Sequence, residues 1–254
     1  MNRFDGRRVL VTGGGSGIGQ ATVARILAEG GTVVAADIVE AGLEATREQA
    51  RAADAGDRLT TVVADISDES SVRSAIGGAI RDLGGLDALV NAAGILRSSH
   101  TAATTLEFWN RMLAVNLTGT FLVTREALPA LLENGKGVVV NFSSTSATFA
   151  HPYMAAYAAT KGGIQSFTHA IAIEYAKQGL RAVCVAPGSI ASGMTSDPGL
   201  PEDADFSLLA KLSPAIGQGF AGPETVAGVI AMLASDDGAF VTGTELRIDG
   251  GTHA

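Results

Sequence analysis

Cysteine occurs once in the 254 residues, so no intrachain disulfide framework can form, and cytoplasm is the expected compartment. That residue, Cys184, lies in the apolar run RAVCVAP, where a small buried side chain is its simplest role. The four histidines, His100, His151, His169 and His253, have no ligand-like spacing with cysteine or carboxylates, so no metal is expected. Aromatic residues make up only 5%, which leaves Ala, Val, Ile and Leu to build the core. Positive charge is also short: 18 Lys and Arg against 26 Asp and Glu give a formal charge of −8. That balance argues against nucleic acid and anionic membrane surfaces as partners. No apolar run reaches the roughly 18 residues of a membrane span, and MNRFDGRRVL has no signal-peptide apolar region, so neither a span nor a leader is expected.

What remains is rich in apolar residues (46%), modest in charge (17%) and high in glycine (32 residues). The pattern is strand, turn, helix, repeated. Short aliphatic runs are read as strands at 8–12, 32–36, 59–64, 88–90, 137–142, 181–186 and 244–248. Helical spacing is read over 18–29, 41–53, 69–83, 105–133 with a break near Asn116–Gly119, 154–173 and 223–234. Strands without polar alternation belong to a parallel sheet buried on both faces, and βαβ repeats give an α/β, doubly wound arrangement. No linker or repeat divides residues 1–254, so a single domain is expected. Residues 189–220, with three prolines and scattered apolar residues, read as a substrate-binding loop or lid.

Thr12-Gly-Gly-Gly-Ser-Gly-Ile-Gly19 joins the first strand to the first helix. Glycines allow close backbone approach and helix N-termini favour anions, which suits a diphosphate. A phosphate-binding loop of the nucleoside-triphosphatase kind is disfavoured, because Gln20 and Ala21 stand where Lys and Ser or Thr are required. Asp37 ends the second strand, where a carboxylate accepts hydrogen bonds from an adenosine ribose. With Ile38 after it and Ser16 in the glycine loop, no neighbouring cation in sequence offsets a 2′-phosphate. NAD is therefore expected as cofactor in preference to NADP.

The stretch Asn141–Gly163 (NFSSTSATFAHPYMAAYAATKGG) carries the candidate chemistry. Tyr157 and Lys161 share one helix face, about 6 Å apart along the axis. Ser144 sits where the preceding strand ends. A phenol, an ammonium and a hydroxyl so placed can polarise a carbonyl and move a proton. His151 and Met154 are candidate pocket walls, Ser143 and Ser146 turn residues, and Tyr153 and Tyr175 packing residues.

The glycine turn, Ser144, Tyr157 and Lys161 together resemble the short-chain dehydrogenase/reductase family, and the resemblance covers nearly the whole chain. Asp65-Ile66 resembles the family's adenine-contacting pair. Asn91-Ala92-Ala93-Gly94 resembles its N-N-A-G, with Ala92 in place of the second Asn. Asn116 resembles the catalytic asparagine, and Pro187-Gly188-Ser189-Ile190 the segment that packs on the nicotinamide. Ser192 falls where the family often has a carboxamide-contacting Thr. Thr242-Gly243 and Asp249-Gly250-Gly251 match its C-terminal signature.

The resemblance implies a Rossmann-like sheet and a dinucleotide held by Gly13, Ser16, Gly17, Ile18, Gly19, Asp37, Ile38, Asp65, Ile66, Asn91, Ala92, Ala93, Gly94, Tyr157, Lys161, Pro187, Gly188, Ile190 and Ser192. It also implies interconversion of a secondary alcohol and a ketone. Tyr157 would be the acid/base, its pKa lowered by Lys161 and the nicotinamide charge. Ser144 would orient the reacting oxygen, Lys161 hold the ribose, and Asn116 position a relay water. A homotetramer is the implied assembly. The competing readings are a 3-oxoacyl-(acyl-carrier-protein) reductase of NADPH type, with Arg125 and Lys177 as a local basic patch, and a dinucleotide-sensing scaffold without turnover.

Overall fold

Successive side chains of a strand point to opposite faces, so a run that is apolar throughout must be covered on both sides. The computed structural model, which describes residues 2–217 and 219–254, has that arrangement. Met1, and Gln218 within the expected lid, lie outside the described residues. The strands β1 (Arg8–Thr12), β2 (Thr32–Asp37), β3 (Leu59–Val63), β4 (Ala88–Asn91), β5 (Val138–Phe142), β6 (Arg181–Pro187) and β7 (Glu245–Ile248) form one seven-stranded sheet in the order β3-β2-β1-β4-β5-β6-β7. Every pairing is parallel.

The register explains the core. Ala35, Val11, Val90, Val140 and Val183 lie level across five strands and point to one face. There they meet Val23 and Ile26 of the helix Gly17–Ala28 and Val226 and Ile230 of the helix Pro223–Ala234. The next row, Val34, Leu10, Leu89, Val139 and Ala182, points the other way. It packs on Ile76 and Ile80, on Val123 and Leu131 of the helix Gly119–Glu133, and on Ile171 of the helix Ala155–Glu174. Each such fully buried aliphatic side chain contributes about 1.5–3 kcal/mol, so both faces are needed. The fold is the expected Rossmann-like α/β architecture, with the strand ends shifted by a residue at most.

One expectation is corrected. There is no break near Asn116–Gly119. The helix Leu106–Met112 continues through a widened turn over Leu113–Thr118 into Gly119–Glu133. Gly119 serves close packing instead, since a Cβ there would lie 2.8 Å from Ile66 Cδ1.

The strand order reverses between β1 and β4, so the turns after them diverge and open a crevice at the strands' carboxyl ends. The segment after β6 closes over that crevice. Ile190 bridges to Ala221, the Ser98 amide donates to the Pro198 carbonyl at 2.8 Å, and the Asp205 amide donates to the Tyr153 hydroxyl at 2.8 Å. Tyr153, read as a packing residue, thus supports the segment after β6. It holds the left-handed φ of 67° that non-glycine residues seldom adopt.

Candidate active site

The turn after β1 is as tight as its glycines allow. Gly13 has φ 69°, and a Cβ on it would lie 2.8 Å from the Ala93 amide nitrogen. A Cβ on Gly19 would overlap the Gly13 carbonyl oxygen. Side chains are therefore excluded from the two places where the turn meets the β4 loop and its own helix. The helix Gly17–Ala28 starts here, and the exposed Ser16 side chain makes no cap to it. Its first backbone N–H groups and the Ser16 hydroxyl are left for an anion. The segment after β6 faces this turn: a Cβ on Gly17 would come within 3.3 Å of Ser192 Cβ.

Asp37 closes β2 with one hydrogen bond to each carboxylate oxygen, from the Gly15 amide and the Val39 amide, both at 3.0 Å. The carboxylate is thereby fixed in direction and still has free lone pairs on both oxygens. Asp65 is fixed similarly, its Oδ1 accepting from the Ser67 amide at 2.8 Å and the Ser67 hydroxyl at 2.6 Å.

The candidate acid/base group is built where β5 ends. The Ser144 hydroxyl accepts from the Ser146 amide at 3.2 Å and caps the single turn Thr145–Ala147. Gly163 lets the helix Ala155–Glu174 approach the widened turn, for a Cβ on it would lie 2.9 Å from Leu117 Cδ2. That helix presents Tyr157 to the cleft, while Lys161 turns inward. Lys161 is 5% exposed, donates to the Phe142 carbonyl at 2.8 Å and lies 5.5 Å from the centre of the Tyr157 ring.

Desolvation dominates the electrostatics. Burial pushes the Tyr157 phenol up to about 12, with the Ser144 hydroxyl pulling the other way. Burial holds Lys161 down to about 8. In the protein by itself the phenol thus moves opposite to the expected lowering. The reason is physical: the phenol is itself buried, and the Ser144 hydroxyl offsets only part of the cost of desolvating its charged form.

A cleft of about 660 Å³ joins these parts, within the range of ordinary small-molecule sites. Its walls include Gly13, Ser16, Gly17, Ile18, Gly19, Asp37, Ile38, Asp65, Ile66, Ala92, Ala93, Gly94, Ser144, Tyr157, Pro187, Gly188, Ile190 and Ser192. A continuous groove with glycine cradles at one turn, a fixed carboxylate at a strand end and a phenol with a hydroxyl farther on fits an adenine dinucleotide.

Three expected residues are not on its wall. Lys161 lies just behind Tyr157. Asn91 points into the sheet, where its amide donates to Thr124 Oγ1 at 3.0 Å and Asn141 Oδ1 at 2.8 Å. Asn116 is fully buried; its side chain accepts from the Ile95 amide at 2.8 Å and donates to the Ile95 carbonyl at 2.9 Å. The Asn116 side chain thus holds the backbone after Gly94 rather than facing the cleft.

Arg111, Thr252 and His253 line the cleft and were not singled out from the sequence as site residues. Arg111 arrives from the helix Leu106–Met112 and donates to the Ser67 hydroxyl at 3.3 Å. Arg125, read as part of a basic patch, is paired with Glu69. Among the described residues no helix is long and apolar enough to cross a membrane, and no cluster of three or more His, Cys, Asp or Glu could hold a metal.

The family model described as short chain dehydrogenase matches residues 7–202. The chain belongs to the short-chain dehydrogenase family. The family comprises oxidoreductases that bind a nicotinamide dinucleotide and act on alcohol or ketone groups. An inactive 2-(S)-hydroxypropyl-CoM dehydrogenase 2 from Xanthobacter autotrophicus is 42% identical over 205 residues, spanning 80% of this chain and 89% of that relative. A 3-oxoacyl-(acyl-carrier-protein) reductase from Thermotoga maritima is 35% identical over 98% of both chains. A crystal structure of a dehydrogenase/reductase from Sinorhizobium meliloti 1021 superposes with TM-score 0.89 at 32% identity, covering 100% of this chain and 98% of that one.

Proposed function

We propose that the protein is an NAD(H)-dependent oxidoreductase that interconverts a secondary alcohol and a ketone. The observation that carries this reading is the placement of Ser144 and Tyr157 on one cleft wall, with Lys161 directly behind the phenol. The dinucleotide, when bound, supplies or takes the hydride.

The chain's own residues do the rest. The Ser16 hydroxyl and the N-terminus of the helix Gly17–Ala28 hold the diphosphate, and Asp37 takes the adenosine ribose. Ser144 donates to the reacting oxygen, and Tyr157 accepts the alcohol proton or returns it to the ketone. A phenol held near 12 in the protein alone is a weak base at neutral pH. Oxidation therefore requires that the positive charge brought by the oxidised cofactor, together with Lys161, lower it. Asn116 keeps the Gly94–Ile95 backbone in place beneath the cofactor. Asp37 and the absence of a neighbouring cation in sequence support NAD over NADP, although Arg111 does reach the same cleft.

A carrier-protein reductase is the second reading, favoured by the Thermotoga maritima relative. Against it stand the net charge of −8 and the engagement of Arg125 by Glu69, which leave little to attract an acidic carrier. The non-catalytic reading draws on the relative named inactive, but Ser144, Tyr157 and Lys161 are all retained here. Exposed Phe121, Ile173 and Phe240 support a homotetramer, which light scattering would check, and the single buried Cys184 supports the cytoplasm.

The deciding experiment is a screen of secondary alcohols with NAD⁺ and with NADP⁺, read by the absorbance of the reduced cofactor. Turnover with NAD⁺ is expected. Turnover of acetoacetyl thioesters with NADPH alone would replace this reading by the second.

A further inference from the structure

The proposed reaction leaves two cleft-lining histidines unused, His151 and His253, with Phe149 stacked on the second and Asp249 behind it. His253 Nδ1 lies 3.0 Å from Asp249 Oδ2, and its backbone amide donates to the same oxygen at 3.2 Å. Asp249 is itself anchored by the Gly251 amide at 3.0 Å and lies 3.4 Å from Arg247 Nε. A carboxylate only accepts, so Nδ1 carries a proton, and in the neutral ring Nε2 is left as the acceptor. The ring is stacked on Phe149, with centroids 4.1 Å apart and planes 17° apart. Its position and its rotation are therefore both constrained. The other ring nitrogen, Nε2, has no hydrogen-bond partner among the described residues.

His151, 5.7 Å away between ring centroids, is not equivalent. Its Nδ1 donates to the Phe149 carbonyl at 3.1 Å, which makes Nε2 the acceptor, and that nitrogen already faces the Thr145 hydroxyl at 3.2 Å. His253 is the histidine of the pair that offers an unused acceptor to the cleft. Met154, Leu212 and Phe220 also line the cleft and are apolar, alongside the hydroxyls of Ser213 and Thr252. The Asp249 carboxylate behind the ring is paired with Arg247, so no uncompensated charge there favours an ionic substrate group. A neutral hydroxyl, which donates to Nε2, is the chemistry that fits.

We propose that His253, held by Asp249 and stacked on Phe149, is a specificity-determining residue that accepts a hydrogen bond from a second hydroxyl of the substrate, so that the cleft selects diols over simple secondary alcohols. The inference rests on the alcohol-oxidising reading of the same cleft. It names the substrate class: an apolar ring or chain bearing the reacting hydroxyl and one more.

The test compares cyclohexane-1,2-diol with cyclohexanol in the intact enzyme with NAD⁺. The diol is expected to have a kcat/KM at least about tenfold higher, beyond the statistical doubling from its second hydroxyl. His253→Phe keeps a ring against Phe149 and removes Nε2; the diol-to-alcohol ratio is expected to collapse toward the statistical value. His253→Gln, which retains an acceptor, should restore part of it. A ratio in His253→Phe within about twofold of the wild-type ratio overturns the proposal.

A second readout does not depend on turnover. The carbon-bound imidazole proton of His253, assigned with His253→Phe, should shift in the NMR spectrum on adding the diol and not on adding cyclohexanol. Turnover of both alcohols at similar efficiency with no selective shift ends this inference and leaves the oxidoreductase reading intact. A selective shift without turnover of either supports diol binding and ends the catalytic reading.

Discussion

The Lys161 ammonium donates a 2.8 Å hydrogen bond to the Phe142 carbonyl, tying the helix that presents Tyr157 to the strand that ends beside Ser144. Burial lowers this lysine from 10.5 to about 8. Between those values the unfolded chain holds a proton that the folded chain does not, so stability rises with pH across that window. Below it the folded lysine is charged and the whole burial cost is present. Lys161→Met removes the titration. Its stability relative to wild type should therefore be most favourable near about pH 7 and decline toward about pH 10, at up to roughly 1.4 kcal/mol for each step of one in pH. The loss of the bond to Phe142 offsets the whole curve by about 1–3 kcal/mol without changing its slope. Urea denaturation at several pH values checks this; a difference independent of pH refutes the lowered value.

Tyr157→Phe should reduce turnover by about 10²–10⁴-fold while the NADH dissociation constant stays within about twofold. In the free protein the phenol belongs near 12. Ultraviolet difference titration of wild type against Tyr157→Phe should find it there, and saturation with NAD⁺ should move it downward. An unmoved phenol would remove the route to the phenolate.

Asp37 offers its carboxylate from a fixed position, held by the Gly15 and Val39 amides. Asp37→Ser should weaken NADH by about tenfold and narrow the gap to NADPH, since it removes an acceptor for the ribose and a repulsion for a 2′-phosphate. Calorimetric titration of both cofactors measures the two changes.

Two glycines make opposite predictions. Gly19→Ala drives a methyl into the Gly13 carbonyl and should cost about 1–3 kcal/mol, with loss of dinucleotide affinity. Gly162→Ala, on the helix Ala155–Glu174, meets nothing nearer than the Ala147 carbonyl at 4.0 Å. It should stabilise the protein by up to about 1 kcal/mol through helix propensity. Thermal melts and NADH titrations of both variants provide the comparison.

The sheet and the cleft end of the site were legible because each rests on a local signal. Continuous aliphatic runs such as Val9–Val11 and Val138–Val140 mark buried parallel strands, and the glycine spacing marks a tight turn. Asn91 shows a signal that was present and unused: it has the parity of Leu89, which points away from Val90, so alternation alone directs its side chain toward Thr124 and away from the crevice. The widened turn at 113–118 has no such mark, because its residues suit either helical winding. Arg111 and the Phe149–His253 stack depend on contacts between distant segments, which periodicity does not encode. The raised pKa of Tyr157 is hidden from the sequence for another reason: burial of the phenol depends on how closely its helix approaches, and that depends on Gly163 meeting Leu117.

The near approach of Ser192 to Gly17 has a kinetic consequence. With the proposed dinucleotide seated at the glycine turn, Ser192 and the segment that carries it would lie over the coenzyme. Coenzyme-first binding is therefore the expected order, and product-inhibition kinetics would check it.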